Sequence, residues 1–202
     1  MFTLSIQAGG GSTRMGQDKA LLPFLGQPLV QRVMTRVAHL ADEVIVTTNN
    51  PEAYGFLEVP LVEDLIPGMG ALGGLYTALA TASHPLVGLV ACDLPFVNPD
   101  LLAACREILV DTGADAVLPA TEHGLEPLHA VYRVETCLPL VKAALDTGRR
   151  KMIAWHEDAR VRIIPTEEVA KLDPDGVTFW NVNTPEEFRV AEMRALELAE
   201  DI

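Results

Sequence analysis

The sequence LVGLVACDLP, residues 86–95, indicates the fold class of this chain. Its first six residues are almost entirely apolar, which is typical of a central parallel strand covered by helices on both faces. The strand is predicted to end just before Cys92 and Asp93. In open parallel sheets, ligands bind beyond the carboxyl ends of the strands, so Asp93 is a candidate site residue.

Helices are predicted on both sides of this strand. The glycine-rich stretch 68–74 leads into a helix to about Ala82, and Asn98 with Pro99 is a typical helix start. The alternation predicts a three-layer α/β domain with a mostly parallel central sheet and helices on both faces. Further strands are predicted at 3–7, 43–48, 60–63, 114–118, 128–133, 161–164 and 178–180, and further helices at 28–40, at about 135–146 and from 184.

The composition is that of an ordinary globular domain. The chain has 202 residues, of which 49% are hydrophobic and 21% charged, so we expect one domain spanning 1–202. Its three cysteines lie apart without a CxxC motif, which favours a reducing compartment. No secretory signal and no apolar run of about 20 residues is present, so we expect a cytoplasmic protein that does not span a membrane.

The charge distribution favours a small anion over nucleic acid as the ligand. Lys and Arg number 15 against 28 Asp and Glu, and the net charge is −13. Binding to nucleic acid depends on basic side chains that meet phosphates, so we expect no nucleic-acid partner. The basic residues are concentrated instead: the first hundred residues contain only Arg14, Lys19, Arg32 and Arg36, and a second cluster is Arg149-Arg150-Lys151.

The loop from Ala8 to Lys19 follows the first predicted strand and has the strongest chemical signature. Its consecutive glycines let backbone N–H groups approach phosphate oxygens, while Arg14 and Lys19 supply cations for the same phosphates. The loop matches neither GxxxxGK[ST] nor GxGxxG, which disfavours a nicotinamide oxidoreductase. The alternative is that the loop is a tight turn that binds no ligand. The presence of Arg14 and Lys19 in the loop disfavours this alternative.

Polar side chains follow three further predicted strands. Asn49, Asp64 and Asp93 each come directly after a strand, so we expect them at the same edge of the sheet as the glycine-rich loop. From its position alone, Asp93 is either a Mg²⁺ ligand or a residue that caps a turn. Asn181 and Asn183 precede a helix already capped by Thr184, which leaves both asparagines for another role.

The motifs together resemble a known family. Ala8-Gly9-Gly10 followed by Asp18-Lys19 resembles the signature loop of the nucleotidyltransferases, and most closely that of the molybdenum cofactor guanylyltransferases, the MobA family. The resemblance covers effectively the whole chain and implies a Rossmann-like nucleotidyltransferase fold. The remaining landmarks are Glu63-Asp64, the 68–74 loop, residues 92–95, Glu126-Pro127-Leu128 and residues 181–187.

The resemblance implies a reaction and its substrates. GMP would be transferred from GTP to the phosphate of a molybdenum-loaded pterin with Mg²⁺ as cofactor, releasing pyrophosphate. Transient contacts with other proteins of cofactor biosynthesis or molybdoenzyme maturation are a further implication. Such a reaction depends mainly on positioning and charge neutralisation.

The resemblance also implies roles for individual residues. Lys19 would hold the triphosphate with help from Arg14, and Asp93 would hold the magnesium ion; these three are the implied catalytic residues. From charge alone, the 149–151 cluster is a further candidate for contact with the pterin phosphate. The implied nucleotide-binding residues are Gln7, Ala8, Gly9, Gly10, Lys19, Asn49, Asp64 and Asp93, and the implied acceptor-binding residues are Asn181 and Asn183.

Two departures from the family pattern leave the base open. The family usually has Leu where this chain has Gln7, and GPLAG where residues 70–74 read GALGG. The glycine at position 10 and the Asp18-Lys19 pair favour GTP by resemblance. The alternatives are a related enzyme that uses CTP or another NTP on a pterin or other phosphorylated acceptor, and a nucleotide-binding module without turnover. The presence of both Lys19 and Asp93 disfavours the module.

Overall fold

The structure is a computed structural model that describes residues 1–8 and 18–200. Within these residues the chain forms a central mixed sheet in the order β10–β7–β9–β6–β1–β4–β5, with β8 paired to β7 and a small separate β2–β3 hairpin. The strands are β1 (Phe2–Gln7), β2 (Pro23–Phe24), β3 (Gln27–Pro28), β4 (Glu43–Thr47), β5 (Leu61–Val62), β6 (Leu86–Ala91), β7 (Ala116–Thr121), β8 (Gly124–Leu125), β9 (His129–Arg133) and β10 (Val161–Ile164).

Helices cover both faces of this sheet, as the sequence predicts. One face packs α1, α3, α5 and α6, and the other packs α2 and α4, each around its own cluster of buried side chains. Strand β6 contributes to both clusters, because Val87 and Leu89 face one and Leu86 and Val90 the other. The helices are α1 (Leu29–Val37), α2 (Gly70–Thr81), α3 (Pro99–Thr112), α4 (Val134–Asp146), α5 (Thr166–Leu172) and α6 (Pro185–Glu200).

The sheet is mostly parallel, which confirms the predicted fold class. Strand β1 pairs in parallel with β4 and β6, and β5 pairs in parallel with β4, so the carboxyl ends of these four strands share one edge. This edge is called the carboxyl edge below. Strands β9 and β8 are the exceptions, because β9 runs antiparallel to both β6 and β7, and β8 runs antiparallel to β7.

The prediction of a strand at 178–180 is wrong. These residues form a turn in which Trp180 N–H donates to the Val177 carbonyl at 3.0 Å. The buried Asp173 carboxylate accepts hydrogen bonds from the N–H groups of Val177 (3.3 Å) and Thr178 (3.0 Å), which folds the segment back on itself. Helix α5, which precedes this turn, was not predicted from the sequence.

The starts of α3 and α6 are where the sequence predicts them, whereas α2 begins at Gly70, inside the glycine-rich stretch. Asn98 Oδ1 accepts from Leu101 N–H at 3.1 Å, and Thr184 and Glu187 form the reciprocal capping box of α6. Across residues 1–8 and 18–200, no helix combines the length and the apolar character that a membrane crossing needs.

Candidate active site

Three side chains distant in sequence meet at the carboxyl edge. The Lys19 ammonium donates to Asp93 Oδ2 at 2.8 Å and to Asn183 Oδ1 at 2.8 Å. Lys19 is only 8% exposed, so this ion pair is largely withdrawn from water. The three residues are called the lysine cluster below. A cation, a carboxylate and an amide that the sequence separates by up to 164 positions are therefore in direct contact.

A short turn fixes the position of Lys19. Asp18 caps the single 3₁₀ turn Lys19–Leu21, because its Oδ1 accepts from Ala20 N–H at 3.1 Å. Its other oxygen accepts from the buried Tyr54 hydroxyl at 2.7 Å, and burial together with this carboxylate raises the pKa of Tyr54. Sequence reasoning missed Tyr54, since nothing local links it to a residue 36 positions away.

Main-chain contacts fix the other two members of the cluster. Cys92 N–H donates to the Gln7 carbonyl at 3.1 Å, which ties the end of β6 to the end of β1. Val182 is fully buried, and its N–H donates to the Asp93 carbonyl at 3.3 Å. The chain leading to α6 is thereby anchored beside Asp93, so the next residue, Asn183, reaches Lys19.

A cavity of about 290 Å³ opens beside the lysine cluster. Its size is at the lower end of the range for small-molecule sites. Lys19 and Asp93 form one side of this cavity, which is called the first cavity below. The remaining lining comes from the ends of β1 and β6, the residue before Lys19, the start of α2 and the segment before β9. It includes Gln7, Ala8, Asp18, Gly70, Ala71, Cys92 and Leu128.

The two places where this chain departs from the family pattern, Gln7 and residues 70–74, are in contact at the wall of this cavity. Gln7 Nε2 donates to the Ala71 carbonyl at 3.1 Å, and its amide lies directly against Gly74. A Cβ on Gly74 would lie 1.5 Å from Gln7 Nε2, so only glycine fits there beside this rotamer. Within the described residues, the buried Oε1 of Gln7 has no hydrogen-bond partner.

Asn49 and Asp64 form a separate pair near the end of the neighbouring strands. Asn49 Nδ2 donates to Asp64 Oδ2 at 2.8 Å, and Asp64 N–H donates to Asn49 Oδ1 at 3.2 Å. Asn49 is exposed and Asp64 partly exposed. No hydrogen bond among the described residues joins this pair to the lysine cluster, so the implied nucleotide residues form two groups.

Other implied residues lie apart from the cluster or outside the described residues. Asn181 and Asn183 are both exposed, but in the described ranges the Asn181 side chain makes no hydrogen bond, whereas Asn183 accepts from Lys19. The 149–151 cluster is exposed on the loop after α4, where Arg149 donates to the Ala154 carbonyl at 2.7 Å. The expectations for Gly9, Gly10 and Arg14 fall outside the described residues.

The electrostatics of the edge favour ionic binding over thiol chemistry. Cys92 is adjacent to Asp93, and burial with this neighbouring negative charge raises the pKa of its thiol. A protonated thiol is a poor nucleophile. The charged groups that meet beside the first cavity are the Lys19 cation and the Asp93 carboxylate, with the Asn183 amide oxygen in contact with Lys19.

The donor set at Lys19 fits a magnesium ion that is shared with a substrate. Mg²⁺ prefers oxygen ligands and commonly takes one or two carboxylates plus water and substrate phosphates. Asp93 and Asn183 present a carboxylate and an amide oxygen that already converge on one cation, the Lys19 ammonium. Across residues 1–8 and 18–200, no cluster of three or more His, Cys, Asp or Glu residues suited to a metal is present, so substrate oxygens would have to complete the shell.

The three-layer sheet with polar groups at its carboxyl edge has the architecture of a nucleotidyltransferase. Molybdopterin-guanine dinucleotide biosynthesis protein A from Archaeoglobus fulgidus superposes with a TM-score of 0.83, at 25% identity over 96% of this chain and 99% of its own. The 2-C-methyl-D-erythritol 4-phosphate cytidylyltransferase from Thermus thermophilus has a TM-score of 0.69 at 18% identity, covering 95% and 97% of the two chains, and shares the fold alone.

Sequence comparison narrows this class to one family. The molybdenum cofactor guanylyltransferase of Desulfosudis oleivorans is 35% identical over 190 residues, which cover 93% of this chain and 92% of the relative. That of Syntrophotalea carbinolica is 31% identical over 183 residues, covering 91% and 87%. Residues 4–161 match the MobA-like NTP transferase domain, and the chain belongs to that family. It is therefore a nucleotidyltransferase of the MobA type, as its motifs predict.

Proposed function

We propose that the protein transfers GMP from GTP to the phosphate of molybdenum-loaded molybdopterin, in a Mg²⁺-dependent reaction. The observation that carries this proposal is the lysine cluster beside the first cavity, where a buried cation and two oxygen ligands adjoin space for a nucleotide. The named function of the relatives supports the choice of GTP and of the pterin acceptor.

In the proposed reaction, a phosphate oxygen of the acceptor attacks the α-phosphorus of GTP. A new P–O bond forms as the bond between the α-phosphorus and the bridging oxygen breaks, and pyrophosphate leaves with that electron pair. The products are the guanine dinucleotide and pyrophosphate. No proton need move, because an ionised phosphate is already a nucleophile, so orientation and charge stabilisation supply the acceleration.

Lys19 is positioned to stabilise the charge that develops in this reaction. Its ammonium is held beside the first cavity by Asp93 and Asn183 before substrate arrives, and on binding it would exchange these oxygens for phosphate oxygens. Asp93 with Asn183 would hold Mg²⁺, which when bound would neutralise charge on the triphosphate and on the leaving pyrophosphate.

The first cavity is the proposed site of the base and ribose. Gln7 and Ala8 end β1 at its wall, and the start of α2 faces them. The buried Gln7 amide is oriented by Ala71, which makes Gln7 the residue most suited to alter base preference. The presence of Gln7, where the family usually has Leu, is the observation that supports a second candidate reaction, the transfer of CMP from CTP to the same acceptor.

Thermal shift with Mg²⁺ and each of GTP, CTP, ATP, UTP and NADH tests the nucleotide, because a ligand of the folded state raises the melting temperature. We expect GTP to give the largest increase in melting temperature. In a second assay, label from α-³²P-GTP should be transferred to the acceptor, and EDTA should abolish this transfer. Gln7→Leu restores the usual family residue and is the matched comparison. A larger shift with CTP than with GTP would identify CTP as the nucleotide substrate. A shift with NADH alone would contradict the proposal.

A further inference from the structure

A second cavity, of about 530 Å³, lies at the carboxyl edge beside β7. It is called the β7 cavity below. The proposed transfer of GMP, as described above, assigns no substrate group to it. Three segments form its walls: the β7–β8 hairpin, α5, and the turn that follows α5. The lining residues on which the argument depends are Thr121, Glu126, Ala170, Phe179 and Trp180.

Glu126 is a half-buried carboxylate with an unused oxygen in this cavity. Its Oε1 accepts from the Thr121 hydroxyl at 3.2 Å, while Oε2 has no hydrogen-bond partner among the described residues. No Lys or Arg in residues 1–8 and 18–200 forms an ion pair with it, and burial raises its pKa by more than the Thr121 hydrogen bond and the nearby His123 lower it. A half-buried carboxylate with one open oxygen can accept hydrogen bonds from the N–H groups of a ligand.

The aromatic wall of the cavity is supported from behind. Trp180 packs against Phe96 with ring centres 5.7 Å apart, and Phe179 packs edge-on against the buried His129 at 5.6 Å. The Asp173 hydrogen bonds that fold the turn hold both rings at the cavity. A flat, partly apolar ring is the kind of ligand that such a wall binds.

The β7 cavity lies within reach of the lysine cluster. Leu128 lines the first cavity only two residues after Glu126, and Trp180 lies two residues before Val182, which bonds to Asp93. Strand β7 is two places from β6 in the sheet, about 10 Å at the usual strand spacing. A ligand with its ring in this cavity can therefore place a phosphate on a short side chain near Lys19.

We propose that the β7 cavity receives the pterin ring of the acceptor and that Glu126 recognises the 2-amino-4-oxopyrimidine edge of this ring. That edge has two neighbouring donors, N3–H and the 2-amino group, which match the two oxygens of one carboxylate. Guanine has the same two neighbouring donors, so the base of the nucleotide is the alternative ligand for Glu126. The inference rests on the proposed function for the identity of the acceptor.

The test measures binding of 6-hydroxymethylpterin to the full chain by its own fluorescence. The matched ligand is 6-hydroxymethyllumazine, which has an oxygen in place of the 2-amino group. Glu126→Gln keeps the shape and the Thr121 hydrogen bond but lacks the charge, and Ala170→Phe fills the cavity from an exposed position of α5. Glu107→Gln, on the exposed surface of α3, is the control for the same chemical change.

We expect wild type to bind the pterin at least tenfold more tightly than the lumazine. Glu126→Gln should weaken pterin binding about tenfold and remove most of this preference, because a charge-assisted hydrogen bond is lost. Ala170→Phe should weaken both ligands, and Glu107→Gln neither. The thermal shift with GTP should be the same in all four proteins.

Three results would separate this inference from the proposed function. Unchanged pterin binding in Glu126→Gln would overturn the inference, even if GMP transfer proceeds. Loss of the GTP shift in Glu126→Gln with pterin binding intact would overturn it as well, because the cavity would then hold guanine. Pterin binding that depends on Glu126 without any GMP transfer would support the cavity assignment and contradict the proposed reaction.

Discussion

The carboxyl edge contains two pairs of one asparagine and one aspartate, and the two pairs are held together in different ways. Asn183 and Asp93 meet at the buried Lys19 ammonium, whereas Asn49 and Asp64 bond directly to each other at the surface. The chemical groups are the same in both. Both asparagines are exposed and both aspartates are partly exposed, so the difference is the cation: only the first pair holds the buried Lys19 ammonium.

This difference predicts unequal functional weight. Charge interactions strengthen as the local dielectric falls, while those at the surface contribute little because water and salt screen them. The lysine cluster is therefore expected to stabilise developing charge, and the Asn49–Asp64 pair to orient at most one part of the nucleotide. Four substitutions test that ranking.

The largest effect is expected from Asp93→Asn. The substitution keeps an oxygen that can accept from Lys19 but removes the negative charge at the proposed metal site. We expect the rate of GMP transfer to fall about 1,000-fold or more, in line with the loss of a transition-state charge contact, with a folded protein by circular dichroism. Asp64→Asn, the same change in the surface pair, is the control. Activity above a tenth of wild type at saturating Mg²⁺ would remove Asp93 from the metal site.

The second effect is expected from Lys19→Met, which keeps the apolar stem and removes the ammonium. GTP affinity should fall about 10- to 100-fold, since charge-assisted hydrogen bonds are lost. The melting temperature should fall too, because Asp93 loses its buried partner. Lys142→Met removes a lysine that pairs with Asp146 on the surface of α4 and should change neither property. Equal GTP affinity in the two variants would contradict the role of Lys19.

A smaller effect is expected from Asn183→Ala, with Asn181→Ala as its neighbour control. The first removes an oxygen that positions Lys19, and the second changes an exposed side chain without a hydrogen bond among the described residues. We expect kcat/KM to fall about tenfold for Asn183→Ala, the cost of one charge-assisted hydrogen bond. The change for Asn181→Ala should be smaller. The reverse order would show that acceptor binding at Asn181 outweighs the positioning of Lys19.

The smallest effect is expected from Asn49→Ala, which breaks the surface pair. The KM for GTP should rise by about two- to fivefold with kcat unchanged, since an exposed hydrogen bond contributes little. Steady-state kinetics at two salt concentrations measure this effect. A drop in kcat as large as that of Asn183→Ala would show that the two amide–carboxylate groups act as one site.

Sequence reasoning was most accurate where the signal is local. The apolar run of β6, the Asn98 cap and the capping box of α6 are confirmed, because each depends on residues within a few positions of one another. The turn at 178–180 was missed, since its conformation depends on the buried Asp173 carboxylate. Its aromatic and β-branched residues alone favour a strand.

The sequence by itself therefore determined the fold class, the family and the sheet edge that carries the polar residues. Periodicity and strand-end chemistry are short-range properties that a linear reading can detect. Only the tertiary structure brought Asn183 rather than Asn181 to Lys19, joined Gln7 to Ala71, and formed the β7 cavity around Glu126. Those contacts depend on how buried segments such as Val182 pack across the sheet, and no local pattern encodes which of two nearby polar side chains reaches a partner far away in the chain.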